Sequence, residues 1–242
     1  MHTSAIIVIG SEIISGRTQD LNVRFIAQKL DQRGIDLKEI RIIPDDENMI
    51  IETVNALRSK YNYIFTTGGI GPTHDDITSI AIAKAFNLSL VRSSKIVEII
   101  QKRNPSAAEA SYRMADLPEG ATLIGNPINQ IPGFKIDNVY VFAGVPSIMQ
   151  GMFSAIEETL AKNLPTLSKT INCNVKESDL AEGLSNIQNK FIGVEVGSYP
   201  YQIDAGWRVN VVIRSKDPKP LNAATQNIVD LIQELGGEPV QI

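Results

Sequence analysis

Cysteine is almost absent from this chain, with Cys173 alone among 242 residues. A single thiol excludes an intrachain disulfide framework and fits a reducing compartment. Histidine is nearly as scarce, at two residues, and His2 and Cys173 lie too far apart for zinc-site spacing. No apolar run approaches the roughly 20 residues needed to cross a bilayer. The run at residues 5–9 is too short for the apolar core of a secretion signal, and no basic segment precedes it. An excess of positive charge is also missing: 23 Lys and Arg face 27 Asp and Glu, a net charge of −4. That balance disfavours broad electrostatic binding to nucleic acid. These absences together predict a cytoplasmic protein that engages neither membrane nor nucleic acid.

What is present is ordinary globular material, 43% hydrophobic and 21% charged. The length suffices for one large domain, or for a main domain with an appendage. Up to about residue 160, short apolar runs alternate with helical periodicities. Strands are expected at residues 5–9, 37–43, 63–67 and 139–142. Helices are expected at 21–32, 50–57, 77–86, 94–103, 107–115 and 148–160. Val23, Ile26, Ala27 and Leu30 illustrate the helical spacing, with Gly34 as the stop. Alternation of this kind implies a mostly parallel sheet covered on both faces. Pro165 marks a change. Beyond it come a strand at 170–175, a helix at 178–188, strands at 194–199 and 207–214, and a helix at 221–235. Trp207, Val209, Val211 and Ile213 alternate as on a strand with one buried face. The predicted domains are residues 1–165, α/β and three-layered, and residues 169–242, a small α+β unit.

The third strand runs into Thr66-Thr67-Gly68-Gly69-Ile70-Gly71-Pro72-Thr73-His74-Asp75-Asp76-Ile77-Thr78. Backbone N–H groups in a glycine turn can hold phosphate oxygens, aided by the start of a helix. Adjacent carboxylates repel bare phosphate, so their presence implies a divalent cation. Ligands of open parallel sheets bind outside the carboxyl ends of the strands. The other strand ends there carry Gly10-Ser11-Glu12, Pro44-Asp45-Asp46-Glu47 and Ala143-Gly144-Val145-Pro146. Each loop alone has a structural explanation. Asp45 to Glu47 can cap a helix, Gly10 can simply turn the chain, and His74 is an incidental loop histidine. Their convergence on one edge is what points to a site.

These motifs resemble the signature of the molybdopterin-binding, MoaB/MogA-like superfamily, and more narrowly the N-terminal region of the competence/damage-inducible CinA proteins. The resemblance also covers Asn22, Asn126-Pro127, Pro132-Gly133-Phe134 and Gly197-Ser198-Tyr199-Pro200, and so nearly the whole chain. It implies a MoaB/MogA-like first domain and a KH-like second one. The second domain lacks a Gly-x-x-Gly loop, so RNA binding is not implied. The chain ends where many CinA proteins continue into an amidase domain. The chain departs from the CinA pattern in three places: Ala143 replaces a proline, Ile148 a glutamate, and Asn129-Gln130-Ile131 a Gly-Thr-Ala stretch. They leave the choice of substrate open.

The expected function is a divalent-metal-dependent pyrophosphatase acting on an ADP-ribose or FAD type phosphoanhydride. Its catalytic residues would be Asp76, Asp75 and Glu12. Phosphate and ligand contacts would come from Gly10, Thr66, Thr67, Gly68, Gly69, Gly71, Thr73, Gly144 and Pro146. Magnesium, manganese or cobalt would be held by Asp76, Asp75 and Asp45. The alternative is a non-catalytic binder of molybdopterin or another pterin phosphate. A weaker third reading is an assembly module. The resemblance also implies a homo-oligomer, dimer or trimer.

Overall fold

The computed structural model describes residues 2–204 and 206–242. It separates into two compact units, one ending at Asn163 and the other starting at Leu164.

The first unit contains β1 (Thr3–Ile9), α1 (Ser11–Ile14), α2 (Asn22–Gln32), β2 (Asp36–Ile43), α3 (Glu47–Arg58), β3 (Tyr63–Thr67) and α4 (Thr78–Ala85). There follow β4 (Leu90–Arg92), α5 (Ser94–Arg103), β5 (Asp116–Pro118), β6 (Thr122–Ile124), β7 (Gly133–Ile136), β8 (Val139–Phe142) and α6 (Pro146–Ile156). The main sheet has six strands in the order β2-β1-β3-β8-β7-β6. The contiguous strands β2, β1, β3 and β8 are parallel. They coincide with the strands expected from apolar runs, and β7 and β6 close the sheet antiparallel.

Strand β1 is buried from Ser4 to Ile9 because both its faces are covered. Ile7 and Ile9 meet α3 and α4 through Ile50, Val54, Ala81 and Ile82. Ile6 and Val8 meet α2 and α6 through Ile26, Leu30, Met149 and Phe153. This is the three-layer arrangement predicted, and each fully buried aliphatic side chain contributes about 1.5–3 kcal/mol. Helix α2 ends at Gly34, whose φ of 68° suits a left-handed cap. Helix α3 is capped by Asp46, which accepts the Met49 N–H at 2.9 Å.

Differences from expectation are local. Residues 107–115 were expected as an α-helix, yet Glu109–Ala115 winds as a 3₁₀ helix. It follows the break at Asn104-Pro105, and such short pieces favour the tighter winding. The pair β4–β5 makes a separate small sheet whose three-residue strands leave no readable period.

The second unit contains β9 (Leu167–Cys173), α7 (Glu177–Lys190), β10 (Val194–Ile203), β11 (Gly206–Ser215), α8 (Pro218–Glu234) and β12 (Val240–Gln241). Its sheet is ordered β10-β11-β9-β12 and is antiparallel. Val209, Val211 and Ile213 pack against Leu180, Leu184, Ala224 and Ile228 of the helices. Trp207, expected on that buried face, is 66% exposed. Pairing with β9 ends at Val209–Cys173, so the β10–β11 ribbon carries Trp207 beyond the core.

Candidate functional site

The carboxyl ends of β1, β3 and β8 are neighbours in the sheet. β1 and β3 pass directly into Gly10 and Gly68, and β8 reaches Gly144 after Ala143. A side chain at Gly68 would strike the Ile9 carbonyl, and its φ of 103° disfavours any other residue. A Cβ on Gly144 would stand 3.3 Å from the Gly68 Cα. One on Gly71 would stand 2.6 Å from Asp76 Oδ2. Close approach of backbone to backbone requires glycine at Gly68, and the three glycines leave a floor of bare backbone.

The turn after β3 is tied to the helix that follows. The Thr78 N–H donates to the Gly69 carbonyl at 2.9 Å, and the Thr78 hydroxyl to the Gly68 carbonyl at 3.0 Å. Not every glycine N–H remains available. Gly68 donates to Phe142 at 3.1 Å and Gly10 to Ile43 at 3.0 Å, so these two shape the floor instead of offering donors. The N–H groups of Gly69 and Gly71 have no partner among the described residues.

Above this floor lies a cavity of 450 Å³, within the roughly 300–1,000 Å³ range of small-molecule sites. Its lining includes the carboxylates Glu12, Asp45, Asp75 and Asp76 and the glycines Gly68, Gly69, Gly71 and Gly144. It also includes the apolar Met114, Ile131, Val145, Ile148 and Met152, with Asn129. No lysine or arginine is among the lining residues.

The carboxylates are held individually. Asp76 Oδ2 accepts the Thr73 N–H at 2.8 Å and the Thr73 hydroxyl at 2.5 Å. Asp45 Oδ2 accepts the Ser11 N–H at 2.8 Å and the Ser11 hydroxyl at 3.0 Å. The nearby Thr73 hydroxyl, then Asp75's own backbone N–H, and lastly His74 hold the Asp75 carboxyl below its ordinary range. One hydroxyl hydrogen serves one acceptor at a time, and its direct contact is with Asp76. The acidic run after β2 divides its work: Asp45 faces the cavity, Asp46 caps α3, and Glu47 pairs with Lys84 at 2.6 Å.

The cavity therefore brings together Glu12, Asp45, Gly68, Gly69, Gly71, Asp75, Asp76 and Gly144. Other predicted contacts lie off its lining. Thr66 and Thr67 are buried in β3, and their hydroxyls have no partner among the described residues. Thr73 acts on Asp76, and Pro146 opens α6. Among the described residues no group of three His, Cys, Asp or Glu side chains is placed to cage a metal. The donor set instead suits a magnesium-type ion, which is bound by one or two carboxylates together with ligand phosphates.

Residues 5–163 match the family model described as probable molybdopterin binding domain. The chain belongs to this family. Residues 165–237 match a second model, described as FAD synthase, middle domain. A protein of Archaeoglobus fulgidus is 33% identical over 95% of this chain and 97% of its own length. A probable FAD synthase of Caenorhabditis elegans is 26% identical over 95% of this chain, which spans 50% of that relative. Among solved structures, the CinA protein of Thermoplasma acidophilum superposes with a TM-score of 0.62 at 27% identity. It covers 65% of this chain and 97% of its own.

Within this member of the molybdopterin-binding family, sequence reasoning overlooked two cavity residues in particular. Met114 and Met152 line the apolar wall from a 3₁₀ helix and from α6. Both look like routine core methionines, and no local signal separates the two uses. In the sequence, Asn22 is singled out by the family resemblance alone. Its Nδ2 donates to the Gly144 carbonyl at 2.8 Å, so α2 fixes the loop after β8.

Proposed function

We propose that the cavity binds the diphosphate of a nucleotide-type ligand together with a divalent cation, and hydrolyses the phosphoanhydride. The observation that carries this reading is the pairing of unpartnered N–H groups at Gly69 and Gly71 with four carboxylates and no basic side chain. Such N–H donors suit phosphate oxygens. The carboxylates would repel those oxygens unless a cation came with them. One or two of Asp76, Asp75 and Asp45 would hold that cation together with the ligand phosphates. It would supply charge neutralisation and Lewis acidity at phosphorus.

The chain's own groups then have distinct tasks. Gly69 and Gly71 fix the phosphates through backbone donors. Glu12 orients a water and takes its proton. The water oxygen bonds to one phosphorus, and the bond from that phosphorus to the bridging oxygen breaks. The bridging oxygen leaves on the other phosphate, giving two monophosphate esters. The wall of Met114, Ile131, Ile148 and Met152 accommodates the ring portion of the ligand.

The FAD synthase descriptions of the second model and of the nematode relative favour a flavin or adenine dinucleotide as ligand. The family match favours a second reading, a pterin phosphate held without turnover. Incubation with FAD and ADP-ribose, each with magnesium, manganese or cobalt, separates the two. Cleavage into two monophosphates, reduced on the order of 100-fold in Asp76→Asn, is expected from loss of a charge-stabilising ligand. No cleavage under any cation, or an unchanged rate in Asp76→Asn, removes the hydrolytic reading. Tight binding of a pterin phosphate without cleavage would establish the second.

A further inference from the structure

The loop at residues 126–131 supplies one polar side chain to the apolar wall, and its orientation is fixed. The buried Asn126 accepts the Ile128 N–H at 3.0 Å through Oδ1. Through Nδ2 it donates to the Ile131 carbonyl at 2.8 Å. Asn129 Oδ1 in turn accepts the Ile131 N–H at 3.0 Å and Asn126 Nδ2 at 2.5 Å. A backbone N–H can only donate, so the Asn129 oxygen must point into the loop. Nδ2 is thus the one polar group of this side chain without a protein partner among the described residues, and it offers two donors. Arg103 braces the same residue by donating to its backbone carbonyl.

We propose that Asn129 selects the ring of the ligand. A flat heterocycle lies against Met114, Ile131 and Ile148 and presents a ring carbonyl oxygen to Asn129 Nδ2. Oxo-heterocycles, such as a flavin or a 6-oxopurine, are therefore taken in preference to adenine. In the same pose the adenine 6-amino group would set donor against donor and lose that hydrogen bond. This selection rests on the reading that the glycine end holds phosphate. Asn129 stands at one of the positions where the chain departs from the CinA pattern.

Calorimetric titration with magnesium present tests the ring and the phosphate end separately. Inosine diphosphate and ADP share ribose and diphosphate and carry an oxo and an amino group, respectively, at position 6. The wild-type protein should bind inosine diphosphate about 3- to 10-fold more tightly, the range of one net hydrogen bond. Asn129→Asp keeps an oxygen for the loop contacts and replaces the free donor with an acceptor. It should weaken both ligands by its charge and reverse their order. Riboflavin, which has a dioxo ring but no phosphate, should lose about 3- to 10-fold in the same variant. A thermal melt near wild type confirms that the variant folds. Equal affinities in wild type, or a ratio unchanged in Asn129→Asp, overturn the ring selection and leave the phosphate site standing. Riboflavin binding that depends on Asn129, with neither diphosphate bound, overturns the phosphate site instead. If none of the three binds, both fall.

Discussion

The lining of the cavity is made of two different materials. Around the glycine turn the chain offers backbone, packed so closely that a methyl group at Gly68 has nowhere to go. Elsewhere in the lining it offers methionine, isoleucine and asparagine side chains. Backbone has one workable arrangement, and its neighbours are held by sheet hydrogen bonds. Side chains can repack with modest consequences. The difference teaches that phosphate placement should be brittle, whereas ring choice should be adjustable by single substitutions.

The sharpest way to break this contrast is Gly68→Ala. Its Cβ meets the Ile9 carbonyl at a φ of 103°, and the expected destabilisation is on the order of 3 kcal/mol. Chemical denaturation should show it, and a melt unchanged from wild type would mean that the floor is not rigid. Asn22→Ala should cost about 1–2 kcal/mol by freeing the Gly144 carbonyl. The same variant should slow cleavage more than it weakens binding, because the loop shifts without losing a ligand contact. Among the apolar lining residues, Ile148→Ala should leave the melt nearly unchanged, since Ile148 is only partly buried. Its expected effect is a rise in KM of about 3- to 10-fold, the scale of trimming a hydrophobic pocket.

A control lies outside the lining. Glu39 on β2 accepts from Tyr61 at 2.8 Å, Arg41 at 2.7 Å and Lys60 at 3.1 Å. Tyr61 first, then Arg41 and Lys60, lower its pKa from 4.5 to about 2. A depressed carboxylate pKa contributes stability above the unfolded value, and that contribution is lost as pH falls through the folded one. Acid melts between pH 4.5 and about 2 should therefore show a steeper loss for wild type than for Glu39→Gln. The effect should be small, because the half-buried group is still screened by solvent.

The same contrast explains what could be read from the sequence. The parallel strands β1 and β8 announce themselves because strands buried on both faces are continuous apolar runs, as at Val139–Phe142. The floor was legible too, since close approach demands glycine. What was not legible is which N–H groups remain free. Gly10 and Gly68 donate across the sheet, and only the strand order decides that. Strands β6 and β7 escaped notice because three- and four-residue pieces show no period. The apolar wall was hidden for another reason. Met114 and Met152 come from segments far apart in the chain, and a methionine facing a cavity looks like one in a core. Trp207 shows the converse: alternation predicts a face, but not how far the neighbouring strand extends to cover it.

The central claim is that an acidic cavity accepts a diphosphate only in company with a cation. Calorimetric titration of the wild-type protein with ADP, once in magnesium and once in excess chelator, tests it most directly. The account predicts binding in magnesium and a loss of about 10-fold or more in its absence, as unscreened carboxylate–phosphate repulsion requires. Equal affinity in both conditions would contradict it.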